Sequence, residues 1–139
     1  LPICYSLLWY EGDSEFKEIP WRHGIMYVPP FWMLHQHFNT SHERARYLAC
    51  SLGSQRYPFM SLRRVSSEGM GSTSIQNGGR QIEYADQDPR IHRKWLEAIK
   101  KNGVESKMGD TIDEAAIMKM DPAKMTGVIK MPRSIGPAV

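Results

Sequence analysis

Gly24-Ile-Met-Tyr-Val-Pro-Pro-Phe-Trp-Met-Leu-His-Gln-His-Phe-Asn39 enters a Pro-Pro corner from an apolar run and leaves it as an alternating one. Pro29 and Pro30 cannot donate to a sheet ladder, so they stop the brief strand expected over Ile25 to Val28. The alternating run predicts a further strand. Its geometry places Met33, His35, His37 and Asn39 on one face and Leu34, Gln36 and Phe38 on the other, since successive side chains alternate across the pleat. Two imidazoles and a carboxamide then share a face.

The flanking residues extend this pattern in both directions. Residues 3 to 10 are rich in strand formers, with Ile3, Tyr5, Leu7 and Trp9 on one side. A turn at Glu11-Gly12-Asp13-Ser14 and a charged edge segment over residues 15 to 23, carrying Pro20 and Trp21, come next. Asn39 to His42 has turn composition, and Arg44 to Leu52 reads as another strand. The first 52 residues therefore predict four short strands.

The remainder differs in kind. Residues 61 to 81 are dominated by Ser, Gly and polar groups and predict a flexible arm, which extends to about residue 85. Asp88-Pro89 opens a helix, with Asp88 as N-cap, Pro89 at the first helical position and Gly103 past the end. Ile91, Trp95 and Ile99 form its apolar stripe, leaving Arg90, Arg93, Lys94, Lys100 and Lys101 as a solvated basic face rather than a phosphate site. A second helix is expected from Ile112 to about Met120, with Thr111 and Glu114 at capping-box spacing. The resulting organisation is a β region over 1–60, an arm over 61–85, and a helical extension and tail over 86–139.

Length and composition bound the function. The chain has 139 residues, 41% hydrophobic and 24% charged, which suits one ordinary globular domain. No run approaches the roughly 18 apolar residues of a membrane span, so no membrane partner is expected. A net charge of +3 is too small to imply nucleic acid. Cys4 and Cys50 read as buried free thiols, which favours a reducing, cytoplasmic location, and no targeting pattern follows Leu1. No phosphate loop, nucleophile elbow, zinc-type cysteine pairing or dinucleotide fingerprint is present.

Gly24, Pro30, His35 and Asn39 fall at the positions of the second motif of the cupin superfamily, and the segment resembles that motif, with Trp32 where the family has glycine. The resemblance implies a mainly β fold: a cupin-like double-stranded β-barrel, partial or completed by another chain, with a C-terminal helical extension. It also implies that His35 is a ligand of a divalent metal, Fe, Mn, Ni or Zn. Residues 1 to 23 contain nothing like the family's first motif, so the chain looks like the later half of a barrel. His37, on the same strand face, is the second candidate ligand. His42 and Glu43, a turn away, could add to the roughly three that a catalytic site needs.

The function expected from this resemblance is that of a metal-dependent oxygenase or lyase acting on a small organic acid. Arg44 and Arg46 are then the candidates for the substrate carboxylate, and Trp32 for the pocket wall. Alternatives are a non-catalytic cupin module for small-molecule binding or oligomerisation, and a subunit whose barrel a partner completes. Open strand edges predict at least a homodimer or a partner chain. Against the metal stands a structural reading in which His35 is an orphaned ligand position, His37 a hydrogen-bonded barrel residue and Asn39 a brace of the turn.

Overall fold

The computed structural model describes residues 4–30, 33–50, 73–77 and 81–125. The chain divides into two compact units, one formed by Leu1–Ala45 with Tyr84–Lys130, the other by Arg46–Glu83 with Met131–Val139.

The first unit is built on an antiparallel sheet of three strands in the order β2-β1-β3. These are β1 (Cys4–Trp9), β2 (Lys17–Pro20) and β3 (Leu34–Asn39). The central strand reads Cys-Tyr-Ser-Leu-Leu-Trp, and Tyr5 through Trp9 are all buried, so both faces of β1 are covered. Leu7 and Leu8 are 0% and 1% exposed and point to opposite faces. Each such burial stabilises the unit by about 1.5–3 kcal/mol.

Register assigns the two faces. β3 pairs with β1 so that Trp9, Leu7 and Tyr5 lie opposite Leu34, Gln36 and Phe38, while Leu8, Ser6 and Cys4 lie opposite His35, His37 and Asn39. Tyr5 stacks on Phe38 with ring centroids 4.9 Å apart, as facing residues on one side of a sheet should. The alternation expected across β3 is therefore present.

The helical part covers the Tyr5 face. Helix α1 (Pro89–Lys101) is capped by Asp88, whose carboxylate accepts the backbone N–H of Arg90, and Gly103 follows it at φ +68°. Ile91 and Ile99 of the expected stripe are buried. The indole N–H of Trp95 donates to the backbone oxygen of Asn39 at 3.0 Å, and Lys94 pairs with Glu18 of β2 at 2.8 Å. Gln87 donates to Gln36 on the same face. Arg90 lies over the Phe16 ring and donates to the Ser14 carbonyl. Trp95 of the stripe thus ties α1 to the end of β3.

Helix α2 (Glu114–Lys119) closes against α1 through a buried cluster. His92, 3% exposed, sits 3.0 Å from the Glu114 carboxylate, which also accepts from the Ser106 hydroxyl.

Several expectations are corrected. The double-stranded β-barrel is absent among the described residues, where the only named sheet is open and three-stranded. The physical reason lies in the strand count: two of the apolar runs taken for strands find no ladder. Ile25 to Val28 is irregular, with Met26 and Val28 91% and 83% exposed, because the turn at Arg22–Ile25 around Gly24 (φ +76°) and Pro29 frame too short a run. Residues 44–50 are likewise irregular and exposed, and Ser51 and Leu52 lie outside the described residues. Asp113 rather than Thr111 caps α2, its side chain accepting from the Ala116 N–H. Most of the arm over 61–85 lies outside the described residues, but within it Ser74 bridges Gln81 and Ile75 is buried in the second unit. Cys50, expected to be buried, is exposed, while Cys4 is partly buried and both thiols are free.

Candidate functional site

The second face of the sheet carries the histidines. His35 and His37 stand two residues apart on β3, opposite Leu8 and Ser6, with ring centroids 5.5 Å apart. Two imidazoles bound to one tetrahedral metal through 2.0–2.1 Å bonds have centroids about 5.3 Å apart. The observed separation suits a shared ion. His35 is exposed and His37 half-buried, so the pair opens outward from the sheet.

Behind His37 lies a compact polar cluster. Ser6 is fully buried, and its hydroxyl is 2.7 Å from His37 Nδ1, 2.5 Å from the Tyr27 hydroxyl and 2.8 Å from the indole nitrogen of Trp21, which donates to it. Tyr27 also approaches His37 Nδ1, at 3.2 Å. Trp21 arrives from the end of β2, its backbone N–H donating to the Cys4 carbonyl, and its ring tilts over His37 at 5.4 Å. Tyr27 arrives from the irregular segment after Gly24. Burial, and secondarily the neighbouring His35, lower the pKa of His37 below its ordinary 6.5. A neutral imidazole is the form that binds metals.

Asn39 takes no part in this site. Its Oδ1 accepts from the N–H and hydroxyl of Ser41 and its Nδ2 donates to the Glu43 carbonyl, so Asn39 braces the turn after β3. His42 does not join the pair either. Its Nε2–H donates to the Gly103 carbonyl beyond the end of α1, since a carbonyl can only accept. Next to it the buried Thr40 receives both bonds from the Asn102 amide.

The structure brings together His35 and His37 but not the rest of the expected site. Arg44 is exposed in the irregular segment beyond the Asn39 end of β3, while His35 sits near the other end. Arg46 belongs to the second unit, and Trp32 lies outside the described residues. No group of three His, Cys, Asp or Glu side chains able to hold a metal is found among the described residues.

Ser6 is the member of this cluster that motif and spacing do not single out. A signal is present nonetheless: a lone serine in the middle of an apolar strand, on the face opposite Tyr5, Leu7 and Trp9. Its register partner emerges only with the pairing of β1 and β3.

Comparison with protein-family models, with curated proteins and with solved structures finds no match for the chain. Among the described residues no helix is long and apolar enough to cross a membrane.

Proposed function

We propose that the first unit binds a divalent transition metal through His35 and His37 and serves a metal-dependent oxygenase or lyase acting on a small organic acid. The observation that carries this reading is the 5.5 Å separation of the two rings on one sheet face, with His37 held from behind by Ser6 and Tyr27. Metal-ligating histidines characteristically have their second ring nitrogen anchored in this way. The likeness of Gly24, Pro30, His35 and Asn39 to the second cupin motif supports the metal, though the barrel is not part of the reading. Of the ions that the resemblance implies, Zn, Fe and Ni favour imidazole, whereas Mn favours oxygen ligands.

In this account His37 binds through Nε2, because Nδ1 is engaged by the hydroxyls, and His35 supplies the outer ligand. The metal, when bound, polarises a substrate oxygen or activates a bound water. Ser6, Trp21 and Tyr27 keep the His37 ring in place and shield its inner edge. Two free thiols favour a reducing compartment, which we take to be the cytoplasm.

A second reading follows from the ligand count. A catalytic site takes about three protein ligands. Every His, Cys, Asp and Glu of the chain except Glu68 lies among the described residues, and no three of them gather. The two-histidine arm is then completed by another chain, either a second copy in a homodimer or a different partner. Elemental analysis of protein purified without chelators, with sizing of the same sample, tests both readings. Metal in the wild type and its loss in His35→Ala are expected, whereas an equal metal content in the two removes His35 as a ligand.

A further inference from the structure

The hydroxyl of Ser6 has three neighbours and can satisfy them in few ways. It owns one hydrogen and two acceptor positions. Trp21 Nε1–H can only donate, so it takes one acceptor position. What remains is one donation and one acceptance, to be divided between Tyr27 and His37 Nδ1.

If Nδ1 is bare, it accepts from Ser6 or Tyr27, and every hydrogen in the cluster has a place. His37 then carries its proton on Nε2. If Nδ1 carries the proton, it donates to Ser6, and Ser6 must turn its own hydrogen to the oxygen of Tyr27. His37 Nε2 is then the basic nitrogen. The two arrangements differ in the direction of the hydroxyl bonds, in the tautomer of the ring and in the hydrogen of the half-buried Tyr27, which the second turns out of the cluster.

We infer that Ser6 and Tyr27 form a reversible hydroxyl relay that sets the tautomer of His37, and that Tyr27 is a positioning residue whose oxygen permits the Nδ1–H form needed for a ligand at Nε2. The inference rests on the proposed metal site for its consequence but not for its geometry. Tyr27 is essential because Ser6 is 0% exposed, so its hydroxyl has no solvent to turn to. Without the tyrosine oxygen the Nδ1–H form would strand that hydrogen in the interior.

Tyr27→Phe separates the alternatives, since it keeps the ring and removes only the oxygen. Long-range 1H–15N correlation spectra of the metal-free chain read the tautomer directly. We expect the variant to shift His37 towards the Nε2–H form relative to wild type, and its affinity for Zn2+, measured by titration, to fall about 10- to 100-fold, as for other groups behind a metal ligand. An unchanged tautomer population in Tyr27→Phe overturns the relay whatever the metal result. If wild type takes up no Zn2+, the proposed metal function fails, while the tautomer shift in the metal-free variant still supports the relay. If the tautomer shifts but the Zn2+ affinity of a metal-binding wild type is retained by Tyr27→Phe, Tyr27 is overturned as a positioning residue for the ligand.

Discussion

Ser6 Oγ lies 2.7 Å from His37 Nδ1 across the β1–β3 pair, joining the most completely buried hydroxyl of the sheet to the half-buried histidine beside the exposed His35. The cross-strand register makes this contact, and the site depends on it.

Acidification should weaken the metal-free fold through His37. Its pKa is lowered in the folded chain by burial and by His35, so the unfolded chain takes up a proton first as pH falls. Stability is full above the unfolded value near 6.5 and is lost as pH drops through the folded value. Denaturant midpoints from pH 8 to pH 5 should decline in wild type and decline less in His37→Asn.

Tyr5 offers a stabilising change. Its ring stacks on Phe38 beneath α1, but its buried hydroxyl has no hydrogen-bond partner. Burial, with Glu18 nearby, also pushes the phenol pKa upward, so the group stays neutral. Tyr5→Phe keeps the stack and removes the unsatisfied oxygen. Urea unfolding should show a gain of about 1 kcal/mol.

The clasp between the helices should be costly to break. Glu114→Ala leaves both His92 Nε2 and the Ser106 hydroxyl without their shared acceptor. A loss of about 1–3 kcal/mol is expected in the same measurement. Glu114→Gln, which retains an acceptor oxygen, should recover part of it.

Asp88→Ala should destabilise α1 by about 1–2 kcal/mol. The carboxylate caps the Arg90 N–H and is bonded by the Arg90 guanidinium, while being 3% exposed itself. Loss of helical circular dichroism at lower temperature than wild type is the check.

Local rules make much of this molecule legible in its residues. Asp88, Pro89 and Gly103 announce α1 because caps are written in single residues, and the alternation through His35 and His37 announces β3. Ile25 to Val28 and residues 44–50 mislead for the opposite reason: β-forming residues become a strand only where a partner strand meets them, and none of the described strands pairs with these. The same limit hides the site's inner half. His35 and His37 can be placed on one face by counting, whereas Ser6, Trp21 and Tyr27 reach His37 from 31, 16 and 10 residues away in sequence. Their convergence on His37 follows from topology alone.

Titration of the metal-free chain with Co2+, followed by visible absorption, decides whether His35 and His37 share one metal ion. The wild type should develop saturable d–d bands with an imidazole-type spectrum, and both His35→Ala and His37→Ala should abolish them at the same concentrations. Bands of equal intensity and midpoint in the two variants and the wild type would contradict the account.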